Sequence, residues 1–195
     1  GPQVHIDRLM LRTMQLRRNI VLTGFMGTGK SEVGKRLAAR MKRTFVDTDM
    51  VIERELGAPI ARLFAEKGEA YFRAHERRII AQTCAQTCQQ RDCVIATGGG
   101  AMLDPANTEL LKKGSLVVCL TATPEVIYNR VRGNTNRPLL QGDDPLTKIR
   151  TLLADRAQAY ARADVMVETS QRSLDEIVDA VLAAYAHKEP GRDSF

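Results

Sequence analysis

A glycine-rich segment, Gly24-Phe25-Met26-Gly27-Thr28-Gly29-Lys30-Ser31, constrains this chain more than any other feature, because it matches the pattern G-x-x-x-x-G-K-S. It follows the apolar run 19–23 and precedes a helix-like stretch over 32–41, which is the strand, loop and helix context that the pattern requires. Glycines allow backbone N–H groups to surround a phosphate chain, and the N-terminus of the following helix attracts the anion. The sequence therefore predicts a site for a nucleoside triphosphate.

The motif also predicts roles for single residues. Lys30 supplies an ammonium group for the β- and γ-phosphates, and the Ser31 hydroxyl is a ligand for Mg²⁺. The other residues predicted to contact the nucleotide are Gly27, Thr28 and Gly29 of this segment and Glu32, which follows it. The alternative is a glycine-rich turn followed by Lys-Ser by chance.

Five short β-rich runs alternate with helical patterns, at 19–23, 44–47, 93–97, 116–121 and 165–168. Strands separated by helices predict a five-stranded parallel sheet covered on both faces, which is a three-layer α/β/α architecture. Helices are predicted at about 30–41, 50–56, 59–66, 69–90, 105–113, 124–132, 145–161 and 173–187. Asp104 and Thr123, each directly before a proline, are the predicted N-caps of two of them.

We expect a single domain over 19–186, after a basic tail at 1–18 that begins with Gly-Pro, a pair typical of a protease-cleavage remnant. About 45 residues separate the second and third predicted strands, more than one crossover helix needs, so a helical subdomain is expected at about 50–80. The segment 132–144 is polar, rich in turn formers and placed between two helices, which is typical of a mobile lid. Residues 187–195 are expected to be a frayed end.

Composition narrows the functional classes. The net charge is +6, and the tail alone contributes half of it through four arginines and one aspartate. The remaining charge fits anionic substrates as well as nucleic acid, and we expect no nucleic-acid partner. No apolar stretch approaches 18 residues, so we expect no membrane association and a cytoplasmic protein. The cysteines, Cys84, Cys88, Cys93 and Cys119, have no metal-ligand spacing, which favours buried reduced thiols.

Three further groups carry candidate chemistry. Asp47 and Asp49 end the second predicted strand, where ligands bind in open α/β sheets, so Asp47 is a candidate Mg²⁺ ligand through water and Asp49 a candidate to orient a hydroxyl and accept its proton. The alternative is that they only cap the next helix. Arg73 and Glu76 are helical neighbours, although a surface ion pair would look the same. Gly98, Gly99 and Gly100 follow the third strand and permit close backbone approach to a ligand.

Taken in order, these motifs match a family. The patterns G-x-x-G-T-G-K-S, D-T-D, G-E-x-x-F-R-x-x-E, T-G-G-G, G-N-T-x-R-P-L-L and R-x-x-x-Y together resemble the shikimate kinase family of the nucleoside-monophosphate-kinase-like P-loop superfamily. The resemblance covers about residues 19 to 186. Each motif alone is weak, but the ordered set is specific.

The resemblance implies a P-loop kinase that transfers the γ-phosphoryl group of ATP to the 3-hydroxyl of shikimate, with Mg²⁺, as a monomer. It implies that Asp49 binds the reacting hydroxyl, that Asp47 supports the Mg²⁺ shell, and that Arg73 and Arg156 hold the shikimate carboxylate. It further implies that Glu76 orients Arg73 and that Gly98, Gly99 and Gly100 border the substrate ring. Further implied residues are Arg130 packing on adenine, Arg137 reaching the phosphates from the lid, and Phe64 and Phe72 as pocket walls.

Two other readings stay open. A kinase of another small hydroxylated substrate, such as gluconate, would share the phosphate loop and the lid. A nucleotide-dependent regulatory protein or a nucleic-acid-binding ATPase would account for the basic tail.

Overall fold

A five-stranded parallel sheet forms the centre of the protein. The computed structural model describes residues 18–133, 142 and 144–187. The strands are β1 (Asn19–Gly24), β2 (Thr44–Asp47), β3 (Cys93–Ala96), β4 (Ser115–Thr121) and β5 (Val165–Glu168), in the order β2-β3-β1-β4-β5. All four pairings are parallel. The predicted α/β class and strand number are confirmed.

The helices of the described ranges lie close to their predicted positions. They are α1 (Lys30–Met41), α2 (Thr48–Leu56), α3 (Ile60–Lys67), α4 (Glu69–Gln82), α5 (Pro105–Lys113), α6 (Pro124–Val131), α7 (Pro145–Tyr160) and α8 (Leu174–His187). Both predicted caps are confirmed, since Asp104 accepts from the Ala106 N–H and Thr123 accepts from the Val126 N–H. None of these helices combines the length and the apolar character that a membrane span needs.

Helices cover both faces of the sheet, and the alternation of side chains along the strands shows how. In β1, Ile20 and Leu22 pack with α1 and α8 residues on one face, while Val21 joins a second cluster with Ile80 and Leu111 on the other. Successive strand residues point to opposite faces, so continuous apolar strands need cover on each side. The three-layer arrangement follows directly.

One helix differs from its prediction. The stretch predicted as one helix over 69–90 ends as α4 at Gln82, and a π-helical turn follows from Thr83 to Thr87. The Thr83 hydroxyl donates to the Ile79 carbonyl, and the Cys88 N–H donates to the Thr83 carbonyl, five residues back. No glycine or proline marks this boundary, so the helical pattern extends beyond the helix.

The expectation of reduced thiols is wrong for two of the four cysteines. Cys88 and Cys93 form a disulfide, with their Cα atoms 5.6 Å apart, whereas Cys84 and Cys119 are free thiols. The π-helical turn and the left-handed Arg91 (φ 57°) fold the connecting loop back on itself. The buried Asn19 side chain then holds both ends, because it donates to the Cys88 carbonyl and accepts from the Cys93 N–H.

This disulfide predicts a simple labelling result. The denatured, unreduced protein should take up two alkyl groups from iodoacetamide, on Cys84 and Cys119, and four after reduction. Cys93→Ser should lower the free energy of unfolding by about 2 kcal/mol relative to the oxidised protein, because a disulfide that closes a short loop constrains the unfolded chain only modestly. Cys84→Ser is the matched control. Four labels without reduction, read by intact mass, would contradict the assignment.

Candidate functional site

An open cleft of about 820 Å³ lies at the carboxyl ends of the strands. Parallel pairing places the loops that follow β1, β2 and β3 at the same edge of the sheet, where ligands of such folds bind. The cleft is lined by residues of the phosphate loop, of the turn after β2, of α4, of the glycine run after β3, and of α6 and α7. It thus gathers elements far apart in sequence.

The loop after β1 has the geometry of an anion-binding cradle. Gly27 and Gly29 adopt positive φ angles of 74° and 94°, which side chains disfavour. Gly29 is the N-cap of α1 and forms no side-chain cap bond, so the first N–H groups of the helix face the cleft. The Lys30 ammonium crosses the loop to the Gly24 and Phe25 carbonyls at 2.5 and 3.1 Å. This arrangement suits a phosphate group.

Ser31 and Asp47 meet at the start of this cradle. The Ser31 hydroxyl donates to Asp47 Oδ2 at 2.9 Å, while Asp47 Oδ1 accepts from the Asp49 and Met50 N–H groups and so caps α2. Asp47 therefore performs the capping role and also presents an oxygen beside Ser31. Within the described residues no cluster of three acidic, histidine or cysteine side chains could enclose a metal. A hydroxyl and one carboxylate fit Mg²⁺, which keeps water and phosphate oxygens as its other ligands.

Two buried carboxylates converge on Gly98. Asp49 Oδ1 and Glu76 Oε2 are buried and have no hydrogen-bond partner among the described residues. A Cβ added to Gly98 would lie 2.7 Å from Asp49 Oδ1 and 3.0 Å from Glu76 Oε2, so only a glycine leaves room between them. These two orphaned acceptors are aimed at the same space, which is suited to hydroxyl groups of a ligand.

Burial changes how these acids titrate. Burial above all, and then the charges of Glu76 and Asp47, raises the pKa of Asp49 to about 7 against the opposing influence of Lys30 and Arg73. Burial also raises the pKa of Glu76, and its ion pair with Arg73 partly offsets this rise. A carboxyl group with a pKa near neutrality is suited to accept a proton during a reaction.

Two guanidinium groups face the carboxylates across the glycine run. Arg73 pairs with Glu76 at 2.9 Å, and a Cβ at Gly100 would collide with its guanidinium. Arg156 is only 4% exposed and stacks over the Phe25 ring at 5.5 Å, but no carboxylate among the described residues lies within ion-pair distance of it. A buried arginine in this situation favours an anionic ligand, because an uncompensated buried charge is costly.

The remaining predicted residues divide into two groups. Glu32 and Arg130 line the cleft. Arg130 donates to the Gly27 carbonyl at 2.9 Å and to Thr169, so it connects the phosphate loop to the segment after β5. Arg137 and most of the predicted lid lie outside the described residues.

The structure also brings to the site residues for which no separate role was predicted, together with the two predicted pocket walls. Tyr160 donates its hydroxyl to the Gly99 carbonyl at 2.5 Å, and its position in the R-x-x-x-Y pattern was the available signal. Phe64 and Phe72, predicted as pocket walls, line the cleft with ring centroids 5.0 Å apart. Other unpredicted lining residues are Met26, Glu53, Ile60, Arg172, Leu174 and Ile177. These residues form no motif of their own, so a single sequence carries no signal that distinguishes them.

Comparison with known proteins gives a consistent result. Residues 26–186 match a family model described as shikimate kinase. The shikimate kinase of Desulforudis audaxviator is 46% identical over 180 residues, which cover 91% of this chain and 93% of that protein. The solved shikimate kinase from Acinetobacter baumannii in complex with shikimate is 35% identical, with a TM-score of 0.83, over 90% of this chain and 96% of that one.

The alternative of a gluconate kinase has weaker support. A gluconokinase structure from Sinorhizobium meliloti 1021 is 19% identical, with a TM-score of 0.53, over 88% of this chain and 93% of that one. At this level of identity the likeness shows a shared fold alone.

The raised pKa of Asp49 predicts an unusual stability profile for the ligand-free protein. Between the ordinary value of 3.8 and about 7, the folded state binds more protons than the unfolded state, so the contribution of Asp49 to stability falls as pH rises through this window. Asp49→Asn should therefore be more stable than the wild type at pH 8 by more than about 1 kcal/mol, the equivalent of one pKa unit. Urea unfolding measures this difference. At pH 3, where the carboxyl is protonated in both the folded and the unfolded wild type, the gain should largely disappear. An equal gain at both pH values would refute the shift.

Proposed function

Because this chain belongs to the shikimate kinase family, we propose that it transfers the γ-phosphoryl group of ATP to the 3-hydroxyl of shikimate. The observation that carries the proposal is the meeting, in one cleft, of a phosphate loop with two unpartnered carboxylate oxygens and a buried arginine that lacks a carboxylate partner. A carboxylated polyol would supply hydroxyl groups to the first pair and an anion to the arginine.

The geometry of the phosphate loop supports binding of ATP at this end of the cleft. Backbone N–H groups of 27–31 surround the phosphates, and the Lys30 ammonium moves from the Gly24 and Phe25 carbonyls to the β- and γ-phosphates. Glu32 and Arg130 border the same end of the cleft. Arg130 borders the adenine, and its bonds to Gly27 and Thr169 keep it near the loop.

Ser31 and Asp47 would hold Mg²⁺, Ser31 directly and Asp47 through water. When bound, the ion neutralises charge on the phosphate oxygens. The hydrogen bond between the two side chains supports this assignment, since it brings the two oxygens within 2.9 Å of each other and both residues line the cleft beside the phosphate loop.

The acceptor end uses the residues around the glycine run. Arg73 and Arg156 hold the substrate carboxylate, because a guanidinium fork matches the two oxygens of a carboxylate. Gly98, Gly99 and Gly100 let the ring approach the backbone, and the helices between β2 and β3 form the substrate-binding subdomain. Asp49 orients the reacting hydroxyl and takes its proton as the bond to phosphorus forms. The demand on this base is small, since phosphoryl transfer has a loose transition state.

A substrate series tests the proposed function. ADP release is measured in a coupled assay with Mg·ATP and shikimate, gluconate or a nucleoside monophosphate, and the product is identified by ³¹P NMR. Of the three acceptors, we expect only shikimate to be phosphorylated. The Lys30→Met variant should turn shikimate over about 10²-fold more slowly than the wild type. Preferred turnover of gluconate or a nucleotide would overturn the choice of substrate.

The remaining alternative, a nucleic-acid-binding ATPase, has its own test. Filter binding of single- and double-stranded nucleic acid over a salt series should show no binding at physiological salt. Tight binding with a steep salt dependence would favour that class, because phosphate contacts release counterions. The cytoplasmic location and the monomeric state stay predictions from the sequence.

Arg73→Lys should separate binding of the two substrates. Lysine keeps the charge but offers no fork, so the KM for shikimate should rise about tenfold or more while the KM for ATP changes less than twofold. Arg78→Lys is the matched control, because Arg78 lies on the same helix and pairs at the surface with Glu55. Equal effects on both substrates would make Arg73 a structural residue.

The lid assignment, which rests on the family resemblance, predicts a different signature. Arg137→Ala should lower kcat by about 10²-fold or more and leave ATP affinity nearly unchanged, because an arginine delivered on closure acts mainly in the transition state. Proteolysis within 132–144 should slow only when ATP analogue and shikimate are both bound. If the rate of cleavage is the same with and without both ligands, and the kcat of Arg137→Ala equals that of the wild type, this segment is only a connector.

A further inference from the structure

The hydroxyl of Tyr160 joins two parts of the cleft while its own side chain stays beneath the surface. Tyr160 is the last residue of α7 and is only 5% exposed. Its hydroxyl donates to the Gly99 carbonyl at 2.5 Å, and Arg156 lies one helical turn earlier on the same helix. This bond thus ties the glycine run to the turn of α7 that carries the arginine without a carboxylate partner.

Gly99 lies between Arg156 and the phosphate loop, so a shift of its peptide would affect both. A Cβ on Gly99 would lie 3.3 Å from Arg156 Nη1, 3.5 Å from the Met26 nitrogen and 3.6 Å from the Gly24 carbonyl oxygen. The Gly99 peptide therefore packs between the guanidinium and the beginning of the phosphate loop. A peptide between two glycines has little conformational restraint of its own, so an external hydrogen bond matters for its orientation.

The ring and the hydroxyl of Tyr160 have separable roles. The ring packs in an apolar cluster with Phe25 and Ile149, and a phenylalanine would keep this packing. The hydroxyl adds nothing to that cluster, and its hydrogen bond is to the Gly99 carbonyl. Its contribution is therefore expected in the geometry of the site.

We propose that Tyr160 is a positioning residue for the acceptor substrate, whose hydroxyl fixes the Gly99 peptide and the Arg156 guanidinium in the orientation that receives the substrate carboxylate. The inference rests on the proposed function and adds a residue that does not itself touch the substrate. Preorganised groups bind more tightly because their ordering cost is met before the ligand arrives. Without the hydroxyl, the Gly99 carbonyl loses its donor, and the peptide that packs beside the Arg156 guanidinium is no longer held.

Tyr160→Phe is the direct test, with Tyr128→Phe as the matched control. Tyr128 lies on α6 and packs against the same apolar cluster, but its hydroxyl has no hydrogen bond to the described residues. We expect Tyr160→Phe to raise the KM and the calorimetric Kd for shikimate about tenfold, while the KM for ATP changes less than twofold and Tm by only a few degrees. Tyr128→Phe should leave all four quantities unchanged.

A double variant shows through which partner the hydroxyl acts. In an Arg156→Lys background, adding Tyr160→Phe should raise the shikimate KM by clearly less than tenfold, because part of its effect has already been lost. Full additivity would contradict the part of the proposal that involves Arg156.

The outcomes separate this inference from the function on which it rests. If the wild type neither binds nor phosphorylates shikimate, both fail together. If the wild type is active and Tyr160→Phe has an unchanged shikimate KM, only the role of Tyr160 is overturned. A fall in Tm with equal losses for ATP and shikimate would also overturn it, since this is the signature of a purely structural residue.

Discussion

The parallel pairing of β1 with β3 is the constraint on which the site depends. Leu22 lies opposite Ala96, and the Thr97 N–H donates to the Leu22 carbonyl at 3.0 Å. Strand β1 leads into the phosphate loop and β3 leads into the glycine run, so this register sets the separation of the donor and acceptor ends of the cleft. A slip of one residue would turn every side chain of the strand to the other face and would be resisted by both apolar layers.

The rest of the fold has to compensate for destabilising polar groups at the carboxyl edge of the sheet. Asp49 and Glu76 each have one buried oxygen without a partner among the described residues, and a buried polar atom without a partner is destabilising by about 1–3 kcal/mol. The apolar layers on both faces of the sheet supply the compensating free energy at a distance from the cleft. Such a trade of stability for function is common at catalytic sites, and it explains why replacing Asp49 is expected to stabilise the protein at pH 8.

Sequence reasoning predicted what depends on local patterns and missed what depends on contacts between distant segments. The strands, the two proline-preceded caps and the phosphate loop each have a signal within a few residues, and the structure has them at or near the predicted positions. The disulfide does not, because the approach of Cys88 to Cys93 depends on a π-helical turn and on Asn19, about 70 residues away. Likewise, the D-T-D pattern suggested either capping or metal support for Asp47, and the structure shows that one carboxylate has contacts suited to both roles.

The two arginines of the cleft differ in whether a carboxylate neutralises their charge. Arg73 already has Glu76 as a partner, whereas Arg156 has an aromatic face but no carboxylate within ion-pair distance among the described residues. A substrate carboxylate would therefore gain most from Arg156, and the pairing of Arg73 with Glu76 would keep Arg73 from collapsing onto Asp49. Under the proposed function, Asp49 would then stay available, with a pKa of about 7, for a hydroxyl placed beside the phosphate loop. In that proposal the buried glutamate would serve the reaction by pairing with Arg73, which would leave the neighbouring aspartate free to take the proton.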